Sequence, residues 1–389
     1  LSGTALLADG AGKVTTLVAG GDVVLTNAGN DWAILQVTAA NADLVDRDGL
    51  TLGSSTLGNR LNLVTSGDVA VLDRTTVQAG GDLTILLNTG NYTATGTSTL
   101  QAGRDLSVTA TVGALSSTGA GTVRAGRDLS LVTRTGASLD GTSTLVSGRD
   151  MRVQATTGAV TLTGASQLTS SAAMRLLTTT GDVALSGSST LNAVGDLRMA
   201  TNTGSVSVRG QTTARSSAGT LSMETQTGQI ALQGTSAMRG NAVVMAVTAQ
   251  GGVTLIDTSQ VRADTTDLTV TLNQGQFSAS GTSELTAQRA MAITTQTGDI
   301  RLSGASTLST ATATVTLGVN TGNVTFSQAS TVRSGTDTRV SIQTGQLSTS
   351  GATTVSAGQD LAMSVVNGNV ALRNATTLSA GRDLGLTQG

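Results

Sequence analysis

The sequence predicts an all-β protein, a parallel β-helix (solenoid) whose coils each contain about 23 residues and three short strands. Three observations predict this fold class. Glycine recurs at a nearly constant spacing, apolar residues recur two apart rather than at helical spacing, and proline is absent from all 389 residues. Stacked coils pair their backbone N–H groups with neighbouring coils, and proline has no N–H to donate.

The glycine spacing defines the length of one coil. Fourteen successive glycines, which we call the marker glycines, lie 22 to 24 residues apart, at positions 67, 90, 113, 136, 158, 181, 204, 228, 251, 275, 298, 322, 345 and 368. The residue two positions after each marker glycine is apolar, with the exception of Ser138. This column predicts one inward-facing strand in every coil.

Two further strands complete each coil. After corners such as residues 102–105, pairs such as Leu106 and Val108 place apolar side chains two apart, which is the period of a strand with one buried face. The third strand has a Ser/Thr-x-apolar form, as in Ser166 and Leu168. It predicts a column of buried hydroxyl groups, which we expect to hydrogen-bond to one another from coil to coil because an unpaired buried hydroxyl is costly.

The composition excludes several mechanisms of catalysis. The chain has no His and no Cys, and therefore offers no imidazole base, thiolate nucleophile or disulfide. Its 22 basic and 24 acidic residues nearly balance, which gives no global electrostatic reason to bind nucleic acid or a membrane. No apolar run approaches the ~20 residues of a membrane span. We therefore predict no enzyme activity, no catalytic residue, no cofactor, no metal site, no nucleic-acid partner and no membrane insertion.

The domain organisation is predicted to be one continuous β-helix. Residues 1–56 form coils with an irregular stretch, and residues 57–389 form regular coils. Between residues 28 and 57 the 23-residue spacing fails, and the stretch contains Trp32 and clustered charges. The chain begins without an initiator Met or a signal peptide, and we expect a monomeric fragment of a longer protein.

The repeated segments resemble the filamentous-haemagglutinin repeats of large exoproteins that Gram-negative bacteria export by two-partner secretion. The resemblance covers about residues 57–389. It is carried by the segments AGRDLSV (102–108), AGRDLSL (125–131), AGQDLAM (357–363), AGRDLGL (380–386), TGDVALSG (180–187) and TGDIRLSG (297–304).

This resemblance implies a right-handed β-helical shaft, secreted or displayed on the bacterial cell surface, that serves adhesion to cells or to a biofilm matrix, or is the stalk of a contact-dependent growth inhibition toxin. It also implies an outer-membrane transporter as partner, which would recognise a secretion domain outside this chain. Such domains carry Asn-Pro motifs, and this chain has no Pro, so it is expected to be the central shaft. The absence of Cys suits a chain that folds outside the cell without an oxidant.

The candidate binding site is a row of three arginines, Arg152, Arg175 and Arg198, which we call the arginine stripe. They lie 23 residues apart, and each falls between the two inward apolar residues of its strand. Their side chains are therefore predicted to point outward on the same face of the sheet. Stacked guanidinium groups would bind an acidic or sulfated glycan of a host cell, a bacterial surface or a matrix polysaccharide. In the alternative interpretation, the arginine stems only cover the sheet and discourage lateral association.

Three other interpretations concern corners and strands. Arg-Asp corners such as Arg104-Asp105 are interpreted as turns with neutralised charge, against a ladder of calcium sites. Threonine pairs before marker glycines, such as Thr178 and Thr180, are expected to face the core or the corner, against an outward array that orders ice-like water. A carbohydrate-active β-helix enzyme would need paired carboxylates in a cleft, whereas the acidic residues fall singly at corners.

Overall fold

The computed structural model describes residues 7–8 and 12–389 of the chain. All helix or strand elements assigned in these residues are strands, and the strands pair in parallel. The predicted fold class is confirmed: the chain forms a parallel β-helix of about 16 turns, with paired strands roughly 23 residues apart. None of the described residues belongs to a helix that could span a membrane.

The strands form two compact units. The first unit comprises Leu1–Asp182 and Ser188–Val194. Its strands are β1 (Leu7–Ala8), β2 (Val14–Val18), β3 (Val23–Leu25), β4 (Asp31–Trp32), β5 (Ile34–Asp46), β6 (Leu50–Leu52), β7 (Ser55–Thr65), β8 (Val69–Val71), β9 (Thr76–Ala79), β10 (Leu83–Leu87), β11 (Tyr92–Gly96), β12 (Thr99–Ala102), β13 (Leu106–Ala110), β14 (Ala114–Gly119), β15 (Thr122–Ala125), β16 (Leu129–Thr133), β17 (Gly136–Leu139), β18 (Thr144–Ser147), β19 (Met151–Ala155), β20 (Val160–Leu162), β21 (Gln167–Ser170), β22 (Met174–Thr180) and β24 (Thr190–Ala193).

The second unit comprises Val183–Gly187 and Gly195–Gly389. Its strands are β23 (Val183–Leu185), β25 (Leu197–Thr203), β26 (Val206–Val208), β27 (Thr213–Ser216), β28 (Thr220–Thr227), β29 (Ile230–Leu232), β30 (Ala237–Gly240), β31 (Ala242–Gln250), β32 (Val253–Leu255), β33 (Gln260–Ala263), β34 (Leu268–Gln274), β35 (Phe277–Ala279), β36 (Glu284–Ala287), β37 (Met291–Thr297), β38 (Ile300–Leu302), β39 (Thr307–Thr310), β40 (Val315–Thr321), β41 (Val324–Ser327), β42 (Thr331–Ser334), β43 (Thr338–Ser350), β44 (Thr354–Ala357), β45 (Leu361–Leu372), β46 (Thr377–Ala380) and β47 (Leu384–Gln388).

The core of each unit consists of apolar columns that run from coil to coil. In the first unit, successive coils stack Leu83, Leu106, Leu129, Met151 and Met174 in register, and all five are buried. Each such side chain removed from water contributes roughly 1.5–3 kcal/mol before the entropy of ordering the chain is subtracted. The columns therefore stabilise a coil only through its neighbours, which is the property of a repeat protein.

The predicted break in one column at Ser138 is wrong. Ala137, and not Ser138, stands in register between Leu115 and Val160, and Ala137 is buried. Ser138 faces outward on β17. This coil is one residue shorter before the strand, so the inward residue follows its glycine directly, and the spacing rule of the other coils misplaced it.

The irregular stretch near the amino terminus consists of shorter coils with longer strands. Val23 pairs with Ala42 and Ala42 with Leu61, 19 residues further along in each case, whereas Leu83 pairs with Leu106, 23 residues further. Strand β5 has 13 residues and β7 has 11, and their pairing shifts register once, between Ala39 and Asn41. The shorter repeat explains why the 23-residue spacing fails there.

The buried hydroxyl column exists, but its hydrogen bonds differ from the prediction. Ser166 donates to the carbonyl of Thr163 at 2.8 Å and Ser259 to that of Ile256 at 2.5 Å, three residues earlier in each case. Two column hydroxyls also meet a hydroxyl of the strand that follows a marker glycine, Ser143 with Ser117 and Thr376 with Thr349. In the described residues, four column hydroxyls have no partner: Ser236, Ser283, Ser306 and Ser330. The predicted hydrogen bonds between column hydroxyls of successive coils are therefore wrong for Ser166 and Ser259, which donate to a local carbonyl, and for the four hydroxyls without a partner.

The marker glycines are required by backbone conformation and by close approach between coils. Gly275 has φ of 148°, which side-chain-bearing residues rarely adopt. A Cβ added there would lie 1.4 Å from the carbonyl oxygen of Gly251 in the preceding coil. Gly251, Gly298, Gly322 and Gly345 show the same combination of positive φ and overlap with backbone. The coils therefore approach each other at this corner more closely than any side chain allows.

Candidate functional site

Two members of the arginine stripe lie side by side in the first unit. Arg152 on β19 is in register with Arg175 on β22, and both side chains are exposed. The residues on either side of each arginine are buried: Met151 and Val153, and Met174 and Leu176. The predicted outward orientation is therefore observed for this pair. In the described part of the chain, neither guanidinium has an ion-pair partner, and Arg152 donates a hydrogen bond to the Gln154 side chain.

Arg198 belongs to the second unit and has a carboxylate beside it. It lies on β25 between the buried residues Leu197 and Met199, and its register partner in the following coil is Ser222. Its Nη2 atom forms an ion pair with Oε2 of Glu224 at 2.8 Å. This pair was not predicted from the sequence, because Glu224 is 26 residues away in the chain, one coil further and two positions along the strand. The charge of Arg198 is thus partly neutralised.

A small pocket flanks Arg152 and Arg175, and it contains acidic as well as basic groups. Its volume is about 210 Å³, and Asp128, Asp150 and Ser130 line it together with the two arginines. The predicted site was purely basic, whereas the observed site places two carboxylates at its edge. An anion that binds to these arginines must therefore approach from the side of the sheet and not from the corner, where Asp150 would repel it.

Beside this pocket, the Arg-Asp corners form a ladder of ion pairs in the first unit. Arg104 donates to Asp82 of the preceding coil through Nε at 3.1 Å and Nη2 at 2.8 Å. Arg127 and Arg149 donate in the same two-pronged way to Asp105 and Asp128. Each of these three aspartates also accepts the backbone N–H of the corresponding residue in the next coil, at 3.2 Å. The aspartate of one coil therefore binds both the arginine side chain and the backbone of the next coil at this corner.

The ion pairs of the ladder also affect the protonation of its carboxylates. The hydrogen bond from Arg127 holds the pKa of Asp105 below its ordinary value, and that from Arg149 does the same for the pKa of Asp128. Within the described residues, no group of three or more His, Cys, Asp or Glu side chains could hold a metal ion. The arrangement agrees with the interpretation of these corners as turns with neutralised charge.

The threonine pairs divide between the core and the surface. Thr178 is buried and donates to the carbonyl of Gly181 at 2.7 Å, and Thr225 donates to that of Gly204 at 2.8 Å. Thr179 and Thr180 are both exposed, because the alternation of the strand ends before the corner. The first threonine of a pair thus faces the core and the second lies at the corner.

A buried polar cluster surrounds Trp32 in the irregular stretch. Trp32 is fully buried, and its backbone N–H donates to Oδ1 of Asp46 at 3.0 Å. Asn30 donates to the carbonyls of Leu25 and Val45, which joins two coils. The second carboxyl oxygen of Asp46 has no hydrogen-bond partner in the described residues. Burial, with smaller contributions from the nearby carboxyls of Asp48 and Asp31, raises the pKa of Asp46 to about 6.

Asp46 is expected to make the first unit more stable at mildly acidic pH than at neutral pH. Its pKa in the folded chain, about 6, lies above the ordinary value of 3.8, so the fold favours the protonated form. The stabilisation is complete below the ordinary value and is lost as the pH rises through about 6. The chain has no His, so few other groups titrate near this pH.

Denaturation followed by fluorescence at several pH values tests this expectation, because Trp32 is the single tryptophan and contacts Asp46. The denaturation midpoint of the wild-type chain should decrease as the pH is raised from about 5 to about 7. The Asp46→Asn variant should lose this dependence while keeping an acceptor for the Trp32 N–H. Equal pH dependence in the two proteins would contradict the assignment to Asp46.

A shallow groove near the same end of the first unit also has two carboxylates. It has a volume of about 560 Å³, and Asp48 and Asp68 line it together with Gly49, Gly67 and Gly90. Both carboxylates already bind corner backbone: Asp48 accepts the N–H of Gly49 at 2.8 Å, and Asp68 accepts that of Asn91 at 2.7 Å. From the sequence, acidic residues were expected singly at corners, and the proximity of Asp48 and Asp68 was not predicted.

Comparison of the chain with protein-family models, with curated proteins and with solved structures finds no match.

Proposed function

We propose that this chain is the extracellular shaft of a large bacterial adhesin, secreted or displayed on the cell surface, that mediates attachment to cells or to a biofilm matrix. The observation that carries the proposal is the in-register stacking of coils, which places equivalent outward residues in rows, as with Arg152 and Arg175. Such rows suit a partner that is itself a linear repeat, such as a polysaccharide. The resemblance of the repeat segments to filamentous-haemagglutinin repeats supports the same proposal.

A closely related candidate is the stalk of a contact-dependent growth inhibition toxin. It makes the same use of stacked coils as a spacer, and the outer-membrane transporter would again recognise a secretion domain outside this chain. The two candidates differ in whether the shaft itself attaches to a surface. A stalk needs only stiffness, whereas an adhesin needs a binding surface on the coils.

Attachment of protein-coated beads to polysaccharide surfaces tests the proposal. Beads that carry the purified chain are expected to attach to surfaces coated with heparin or alginate, and to detach as the salt concentration rises, because exposed charges are screened. Replacement of the arginine stripe by Arg152→Ser, Arg175→Ser and Arg198→Ser should weaken attachment severalfold without unfolding, since all three side chains are exposed.

A matched control removes three other exposed arginines, Arg134, Arg209 and Arg373, which form no ion pair in the described part of the chain. This variant has the same net charge as the stripe variant and should attach like wild type. Absence of attachment by the wild-type chain would contradict the adhesin and favour the stalk. Equal attachment by both variants would place the binding surface outside the stripe.

A carbohydrate-active enzyme is the remaining candidate, and the groove that contains Asp48 and Asp68 is the observation that favours it. A pair of carboxylates is the usual catalytic equipment of a glycoside hydrolase. Incubation of the chain with acidic polysaccharides, followed by measurement of reducing ends and unsaturated products, decides the question. We expect no turnover, because both carboxylates are engaged with corner backbone. Turnover that Asp68→Asn abolishes would establish the enzyme.

A further inference from the structure

A groove on the second unit crosses the third strands of successive coils. It has a volume of about 800 Å³, and the outward residues of strands β33, β36, β39, β42 and β44 are among the residues that line it. These residues stand in register in consecutive coils, in the order Arg262, Thr286, Ser309, Arg333 and Ser356. The groove therefore runs across the strands, from coil to coil.

In this groove, two arginines, Arg262 and Arg333, flank two hydroxyl-bearing residues, Thr286 and Ser309, which we call the floor. Arg262 and Arg333 are three coils apart, which corresponds to about 14 Å at the ~4.8 Å spacing of paired strands. Between them, the outward residues are Thr286 and Ser309, whose hydroxyl groups can both donate and accept hydrogen bonds. The lining also includes Gln288 and two corner glycines, Gly335 and Gly358.

The groove has an excess of positive charge. Arg262 and Arg239 share one carboxylate, that of Asp264, at 2.8 Å and 2.5 Å, which leaves one positive charge unbalanced. Arg333 is exposed and has no ion-pair partner among the described residues, and its register partners are the uncharged Ser309 and Ser356. No acidic residue lines the groove; Glu284 is on the same face of β36, two residues before Thr286, but outside the lining.

We propose that this groove binds a segment of a linear, carboxylate-bearing polysaccharide, with carboxylates on Arg262 and Arg333 and sugar hydroxyls on the serine and threonine floor. Guanidinium groups bind carboxylates through two parallel hydrogen bonds. A chain of sugar rings with one acid group per ring presents carboxylates and hydroxyls at a spacing comparable to that of the coils. The inference deepens the proposed attachment function, and its biological meaning rests on that function.

Other linear polyanions fit the groove less well. Single-stranded nucleic acids bind through stacking on aromatic side chains, and all four aromatic residues of the chain are buried. An acidic peptide would add to a free strand edge, whereas β36 and β39 are each paired on both sides. A neutral sugar chain would also lack an aromatic platform, so the ligand must supply charge.

Titration calorimetry at low ionic strength with a short oligogalacturonate tests the inference. The matched ligand is the same oligosaccharide with its carboxyl groups methyl-esterified, which keeps the shape and removes the charge. We expect the wild-type chain to bind the acid and not the ester. Arg333→Gln should weaken binding roughly tenfold, because one charge-assisted pair is lost. Ser309→Tyr, which fills the middle of the floor without a change of charge, should also weaken it.

Arg209→Gln is the control, since it removes an exposed arginine of the same unit from outside the groove. It should bind the oligogalacturonate like wild type. No binding by the wild-type chain, equal binding of acid and ester, or undiminished binding by Arg333→Gln would each overturn the inference. Those results leave the bead-attachment experiment to decide the proposed function independently, because that experiment alters only arginines outside the groove.

Discussion

Gly275→Ala is expected to open the second unit locally and to destabilise it by about 3 kcal/mol or more, a cost typical of forced backbone strain combined with steric overlap. The new Cβ would lie 1.4 Å from the Gly251 carbonyl oxygen, at a φ of 148° that alanine rarely adopts. Relief requires the two coils to separate at the corner, which breaks parallel hydrogen bonds on both sides. Hydrogen exchange should therefore accelerate in β32, β35 and β38, and the denaturation midpoint should fall.

Gly318→Ala is the matched control in the same unit. Gly318 lies on strand β40, and its added Cβ would meet only the Thr294 side chain, at 3.3 Å, which can rotate away. Alanine in a strand interior restricts the unfolded chain more than glycine does, so this variant should be neutral or slightly more stable. If Gly275→Ala behaved like Gly318→Ala, the close approach of coils at the marker glycines would be wrong.

Leu129→Asp is the second substitution with a large expected effect. Leu129 is buried on β16 between Leu106 and Met151 of the adjacent coils, and an aspartate there would bury a charge without a partner. The loss of the leucine contacts and the unpaired charge should together cost about 3–5 kcal/mol. Limited proteolysis should cut the variant near residues 125–136 before it cuts elsewhere.

Ser130→Asp provides the control for position 129. The side chain of residue 130 points to the outward face of the same strand, and its register partner in the next coil is Arg152. A carboxylate at position 130 therefore gains a cationic neighbour. This variant should resist the protease like wild type. Cleavage of both variants at the same rate would show that the assigned inward and outward faces of β16 are incorrect.

The sequence predicted the fold class because the repeat makes each coil's pattern visible many times. The inward pairs, the glycine corners and the absence of proline all follow from coil-on-coil hydrogen bonding, so they agree with one another. The misplacement of Ser138 shows the limit of a fixed spacing, since one coil is a residue shorter and shifts its inward position to Ala137. The 19-residue coils near the amino terminus were not predicted for the same reason, because their length differs from the 23-residue spacing.

The candidate site could be predicted only in part. Alternation along a strand gave the outward direction of Arg152 and Arg175, and their 23-residue separation gave their pairing. The carboxylates of Asp150 and Glu224 were missed because their positions relative to the stripe depend on where corners and neighbouring strands bring them in space. The groove between Arg262 and Arg333 was missed because these residues are separated by two coils without arginine at that position.

The measurement that most directly tests the central claim, the parallel stacking of coils in this register, is disulfide formation between introduced cysteines, since the chain has none of its own. Thr286 and Ser309 are register partners on the outward face, so their Cα atoms should lie about 5 Å apart, within the range that a disulfide spans. We predict that the pair Thr286→Cys and Ser309→Cys forms a disulfide on mild oxidation. The pair Thr286→Cys and Arg333→Cys, two coils apart at about 10 Å, should remain reduced. Formation of the second disulfide without the first would contradict the stacked β-helix.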